Sequence, residues 1–323
     1  MKAIVQDSYG SADVLEFRDI ADPVVGDDEV LVRVRAAGCG PDVWHLMTGM
    51  PYFARLMPDF RKMWPSPRGR DAAGVVEAVG ASVTDLKPGD EVMGIVEGSF
   101  AELAAGRADK VVPKPAGISF EQAAAIPISG LTALQALRDV AKVRPGQTAL
   151  VVGAAGGVGT FTVQIAKAFG AEVTGVCSTS KADLVRSIGA DDVIDYTRED
   201  FTDGIRRWDV IVDTAGRRSL RRLRRALAPK GTLTIVGGDG GGKWTGGFLR
   251  QILRAPVLSL FSGQRMRPVI SKEDGKDLET LRAMVEAGQV TPVVDRTFSL
   301  SDAADAVRYL EEGHPRGKIV VTV

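Results

Sequence analysis

Residues Val151 to Ala171 read VVGAAGGVGTFTVQIAKAFGA, and no other run constrains the fold so tightly. A fully apolar strand ends at Gly153, small residues follow, and a helix is expected from about Val158. Val158, Thr162, Ile165, Ala166 and Phe169 recur on one helical face, the stripe that would pack on a sheet. A helix start offers unpaired N–H groups and a positive dipole end to a pyrophosphate. Glycine matters there because the backbone must approach the phosphate with no Cβ in the way. The spacing is Ala154-x-Gly156-x-x-Gly159, with Gly153 and Gly157 adjacent, and not the strict GxGxxG. The plain alternative is a tight structural turn. Strand, loop, amphipathic helix and a second strand in that order favour a dinucleotide loop.

The residues around this segment alternate in the same way. TALVVGA, AEVTGVCS, DDVIDY, WDVIVDTAG and GTLTIVGG read as strands, with helical stretches between them. Such alternation argues for a parallel sheet with helices on both faces. The first hundred residues read instead as β-rich, with EVLVRVRAAG, AAGVVEAVG and DEVMGIV as short apolar runs punctuated by Gly, Pro and Asp. FEQAAAIPISGLTALQALRDV, from Phe120, is helical in period and stops at RPGQ. The end is mixed: a helix near 274–287, strand RTFSL, helix SDAADAVRYLEEG and strand GKIVVTV. The expected fold class is α/β: a mostly β domain built from 1–119 and 268–323, with a doubly wound dinucleotide-binding domain over 120–267.

Bulk properties exclude several function classes. Lys plus Arg and Asp plus Glu are both 41 in 323 residues, so no net charge draws the chain to nucleic acid or an anionic membrane. Two cysteines, Cys39 and Cys177, are too few for a disulfide framework and suit a reducing compartment. The opening MKAIVQDSYG lacks a signal-peptide pattern, and no long apolar run spans a membrane. The expectation is cytoplasmic. The arginine run Arg217 to Leu227 invites an RNA-binding reading, but Leu220, Leu223, Ala226 and Leu227 fall on one side and six arginines on the other. That is the pattern of an amphipathic helix with a solvated basic face.

Coenzyme choice is also written in the chain. NAD enzymes usually end the second strand with an acid that holds the ribose 2′-hydroxyl. Here Cys177 and Ser178 stand at that place, followed by Lys181. A hydroxyl and a cation suit a 2′-phosphate, although Ser178 could equally cap the helix starting near Lys181. NADP is the expected cofactor.

Beyond the glycine loop, AAGCGPDVWHLMTG, GRDAAGVVEAVG, KPGDEVMG, SFAEL, ISGLTALQAL, GADDVIDYTRED and RGKIVVTV come in the order and spacing of medium-chain dehydrogenase/reductases. Along essentially its whole length the chain resembles the zinc-independent quinone oxidoreductases of that superfamily. The resemblance implies a GroES-like β domain beside a Rossmann domain, and a homodimer. It implies that Gly156, Gly157 and Val158 contact the pyrophosphate, that Ala155 is also cofactor-binding, and that Ser178, Lys181 and Tyr196 surround the 2′-phosphate. Thr132, Gly237 and Gly238 match positions near the nicotinamide. The zinc alcohol dehydrogenases depart at the metal: Gly40 stands where their first-loop Cys would be, and Arg70-Asp71 replaces the His-Glu pair. No structural zinc lobe interrupts EVMGIVEGSFAEL, so no metal is expected. Many quinone oxidoreductases carry Asn where this chain has Gly40.

Hydride transfer asks the protein mainly to position coenzyme and substrate and to supply a proton. His45 and Tyr52, near the first loop, are candidate proton donors or orienting groups, with water as the alternative. GMPYFARLMPDFRKMW and WTGGFLRQILRAPVLSLFSG read as pocket walls for a bulky, lipophilic substrate such as a quinone or an α,β-unsaturated ketone. They could also be an interface or a membrane-docking surface. The sequence thus predicts an NADPH-dependent, zinc-free reductase. The alternatives are a metal-free reductase or dehydrogenase of another carbonyl or alcohol, and a non-catalytic protein that senses NADPH or binds RNA.

Overall fold

The computed structural model describes residues 1–56, 66–237, 251, 254–255, 257–259 and 263–323. The described chain divides into two compact units: Met1–Leu131 with Glu273–Gly288 and Pro292–Val323, and Thr132–Lys272 with Gln289–Thr291.

The first unit opens with strands β1 (Lys2–Gln6), β2 (Glu16–Asp19) and β3 (Glu29–Cys39) and helix α1 (Pro41–Thr48). Strands β4 (Ser66–Pro67), β5 (Asp71–Val79), β6 (Glu91–Ile95), β7 (Leu103–Arg107) and β8 (Val111–Pro113) follow, then helices α2 (Phe120–Ala124) and α3 (Pro127–Gln135). The period from Phe120 predicts one helix, but Pro127 can neither donate to the preceding turn nor allow its predecessor a helical conformation. The chain therefore breaks after α2, which a Ser119–Gln122 capping box starts. Helix α2 packs on β3 and β5 and lies in the first compact unit, which runs to Leu131.

In the second unit, strands β9 (Thr148–Val152), β10 (Glu172–Cys177), β11 (Asp192–Asp195), β12 (Trp208–Asp213), β13 (Leu227–Ile235) and β14 (Arg265–Pro268) alternate with helices α4 (Gly157–Ala168), α5 (Ala182–Ser187) and α6 (Leu220–Ala226). The sheet order is β11-β10-β9-β12-β13-β14, all parallel. Counted from β9, that is 3-2-1-4-5-6, the doubly wound Rossmann order, with the order reversing between β9 and β12. Helix α4 is buried on more than the expected stripe. Residues 159–166 are all buried, whereas Val158 and Phe169 at its ends are half-buried. The helix lies against β9 and β10 on one side and a π-helical turn, Ala136–Ala141, on another. Gln164 is buried because Thr291 pairs with it twice: Thr291 N–H donates to Oε1 at 2.8 Å and Nε2 donates to the Thr291 carbonyl at 3.0 Å.

Helices α7 (Gly275–Glu286) and α8 (Ala303–Glu311) and strands β15 (Val294–Ser299) and β16 (Lys318–Thr322) return the chain to the first unit. There β15-β16-β3-β5-β6-β8 form one sheet, with β7 also on β3, and β2-β1-β4 form another. The core gathers Val30, Val32 and Val34 of β3 with Phe100, Val307 and Ile319. A bulge between Val34 and Ala36 shifts the register of β3 against β5. Side chains beyond a bulge swap faces. Ala37 and Cys39 consequently join Val30, Val32 and Val34 in the core, which leaves Gly38 and Gly40 on the opposite face.

Candidate functional site

Five loops of the second unit gather at the carboxyl ends of its parallel strands, the edge where open α/β sheets bind ligands. After β9 the chain turns at Gly153 with φ +82°, a left-handed conformation that favours glycine. A Cβ there would also stand 2.5 Å from Thr214 Oγ1. Gly156 then caps α4 in an extended conformation, with no side chain to satisfy the first turn. The first N–H groups of α4 therefore point out of the helix start, as in any helix lacking a side-chain cap. A Cβ on Gly156 would meet only the Gly153 carbonyl, at 3.5 Å, whereas one on Gly159 would stand 2.0 Å from that carbonyl. Gly159 is demanded by strand–helix packing. Among the described residues, nothing else stands above Gly156.

Cys177 and Asp195 are paired across β10 and β11, so Ser178 and Tyr196 follow side by side at the strand ends. Ser178 begins a 3-10 turn, Thr179–Lys181, and its side chain makes no cap hydrogen bond, contrary to the capping alternative. Lys181 is half-buried at the end of that turn, and Tyr196 is 44% exposed. Asp195 stands at the same strand end. Its carboxylate accepts from the hydroxyls of Thr179 and Thr197, which hold its pKa below the usual carboxylate value. The Cys177 thiol is pushed up to about 11, chiefly by burial, and stays protonated. Gly237 follows β13, with its N–H donating to the Asp213 carbonyl at 3.1 Å. Gly238 lies outside the described residues. Thr132 is half-buried on α3.

The two candidate proton donors belong to the first unit. His45 is exposed on α1, and its Nδ1 lies 2.7 Å from the Met50 carbonyl. An acceptor there requires Nδ1 to carry the proton, which leaves Nε2 as the acceptor of the neutral ring. Trp44 meets the imidazole edge-on, with centroids 5.0 Å apart. Tyr52 is half-buried, with the Arg55 guanidinium 4.7 Å above its ring. Of the two expected pocket walls, 57–64 and most of 244–262 lie outside the described residues. On α6, Leu220, Leu223 and Ala226 are buried, while Arg221, Arg222 and Arg225 are exposed.

Two family descriptions match the chain: the alcohol dehydrogenase GroES-like domain over residues 26–116 and the zinc-binding dehydrogenase over 188–321. The quinone oxidoreductase of Pseudomonas aeruginosa is 34% identical, with 97% of each chain covered. This chain belongs to the quinone oxidoreductase branch of the medium-chain dehydrogenase/reductase superfamily. The NADPH-dependent alkenal/one oxidoreductase of Arabidopsis thaliana is 36% identical over 99% of this chain and 79% of its own. The crystal structure of the Escherichia coli quinone oxidoreductase complexed with NADPH superposes with a TM-score of 0.85 at 28% identity, covering 100% of both chains. As a member of this branch the chain is an oxidoreductase.

One family description names zinc, and the donors present here do not fit it. Gly40 offers no ligand, and a Cβ at that position would stand 3.4 Å from the Lys318 ammonium. Arg70 is turned to Glu273, which also accepts from Lys110 at 2.5 Å. Cys39 faces the hydrophobic core, where burial pushes its thiol up to about 12. Among the described residues no group of three His, Cys, Asp or Glu side chains is arranged to hold a metal.

Proposed function

We propose that the protein binds NADPH at the carboxyl edge of the second unit and transfers its hydride to a quinone or an α,β-unsaturated carbonyl. The observation that carries this reading is the space that the described residues leave at Gly156 above an uncapped helix start, with Ser178, Lys181 and Tyr196 at the ends of the two neighbouring strands. The first feature fits a pyrophosphate and the second a 2′-phosphate. In this reading Ala155, Gly156, Gly157 and Val158 hold the pyrophosphate through backbone N–H groups. Ser178 donates a hydroxyl, Lys181 a cation and Tyr196 a ring edge to the adenosine phosphate. Thr132, Gly237 and Gly238 line the nicotinamide.

The bound coenzyme supplies the hydride. The chain's share is to orient it, keep water out and deliver a proton to the reduced acceptor. His45 and Tyr52 are the groups we assign to this step; with Nδ1–H held by the Met50 carbonyl, His45 delivers a proton only from Nε2 of its imidazolium form. The substrate class draws on the quinone and alkenal/one reductases that the chain resembles.

We assign the protein to the cytoplasm as a homodimer. In support of the dimer, β14 ends the sheet order of the second unit, and an edge strand is a ready pairing surface. No described helix is long and apolar enough to cross a membrane. The coenzyme reading is tested by isothermal titration of NADPH and NADH against the wild type and Lys181→Ala. We expect Lys181→Ala to weaken NADPH at least about tenfold, with NADH changed far less. Equal losses for the two coenzymes would contradict the assignment.

A further inference from the structure

Gly38 and Gly40 stand on the face of β3 opposite the core, and that face carries an ion pair instead of their side chains. A Cβ on Gly38 would lie 2.7 Å from Asp71 Oδ2, and one on Gly40 would lie 2.6 Å from Asp42 Oδ1 with Lys318 Nζ 3.4 Å away. Strand β3 runs between β16 and β5. The missing side chain of Gly38 leaves the slot through which Lys318 of β16 reaches Asp71 of β5. Nζ donates to Oδ2 at 2.9 Å, and the two side chains are 4% and 1% exposed. The other carboxylate oxygen of Asp71 accepts the backbone N–H of Ile128, in the first turn of α3, at 2.8 Å. Thr132 lies one turn further along the same helix.

Asp42, in the first turn of α1, acts on Lys318 as a second carboxylate, and Arg70 acts on Asp42 in turn. Asp42 keeps some exposed area, but its carboxyl is closely surrounded, and this burial with the Asp71 charge raises its pKa. Burial opposes the charge on Lys318, yet the Asp71 and Asp42 carboxylates outweigh it and keep the ammonium charged. Two charges taken out of water at such depth seldom add stability over an apolar pair of the same size. Their geometric consequence is specific: a cation fixed by its own strand holds a carboxylate that holds a helix start.

We propose that the Lys318–Asp71 ion pair is a positioning device for the reaction. Through Asp71 the tethered ammonium fixes the first turn of α3 and so the placement of Thr132. This rests on the reading that Thr132 lines the nicotinamide. The pair does not touch substrate. It acts through α3.

The experiment compares the wild type, Lys318→Arg, Lys318→Met and the double variant Lys318→Met/Asp71→Leu. It reads amide hydrogen exchange at Ile128, the Kd for NADPH, and kcat with a quinone. Lys318→Met is expected to speed exchange at Ile128 and to lower kcat, each at least about tenfold, with the Kd for NADPH within about twofold. Lys318→Arg, which keeps the cation, should restore most of both. Lys318→Met with wild-type exchange and wild-type kcat per folded molecule, and only a lower stability, would overturn the proposal. Should Lys318→Met not fold, the double variant removes both buried charges together, a change that apolar packing commonly tolerates. A folded double variant with wild-type kcat would likewise overturn the proposal. If the wild type binds no NADPH, the coenzyme reading fails by itself, while exchange at Ile128 still reports whether the pair anchors α3.

Discussion

Gly156 and Gly159 stand three residues apart in one loop and answer to different demands. A Cβ at Gly159 collides with the Gly153 carbonyl at 2.0 Å, whereas one at Gly156 meets ordinary contact at 3.5 Å. Gly159→Ala should therefore lower unfolding stability by about 2 kcal/mol or more, because the obstacle is backbone. Gly156→Ala should leave the thermal midpoint within a few degrees and weaken NADPH at least about tenfold. Calorimetry and coenzyme titration on the two variants check both expectations. Glu273 offers a pH test. Burial works against its charge, but the Lys110 and Arg70 partners outweigh burial and hold the carboxyl below the usual value. A carboxyl with a depressed folded-state pKa contributes stability above its unfolded pKa of about 4.3, and loses it as pH falls through the folded-state value. With side-chain exposure of 26%, solvent screening limits that contribution. Glu273→Gln should cost about 1 kcal/mol at neutral pH and nothing below the folded-state pKa, as read by urea midpoints across the acid range.

Secondary-structure elements show what the sequence could and could not reveal. The β9–α4–β10 unit was legible because an apolar strand, a glycine turn and a helical period follow one another without a break. The strand ends bearing Ser178 and Tyr196 were legible for the same reason. Helix α4 was misjudged as one-faced, since periodicity reports the face against the sheet and not the π-helical turn that covers another side. Phe161, outside the predicted stripe, is fully buried, and Phe161→Ala should cost about 3–5 kcal/mol by chemical denaturation. The ion pair was invisible for a different reason. Lys318 and Asp71 are 247 residues apart, and the bulge that turns Gly38 and Gly40 toward them leaves no periodic trace. The bulge also explains why a cysteine one position from the zinc-ligand site is no ligand: it faces the core.

Across the molecule, formal charge balances at zero, and the arginines of α6 form the exposed side of a helix whose other side is core. Arg224 is drawn back to Gln264, its Nε donating to Oε1 at 3.2 Å, and Arg222 stands 3.7 Å from Asp200. A solvated basic face of this kind predicts no retardation of generic RNA in a gel shift at physiological salt. The donor set around Gly40 predicts that chelation leaves turnover intact, since nothing there would be removed. The most direct measurement is consumption of NADPH, and separately NADH, by chelator-treated protein against a panel of quinones and enones. Turnover that prefers NADPH and survives the chelator is the predicted result. Folded protein that consumes neither coenzyme with any acceptor, or turns over only when zinc is restored, would contradict the account.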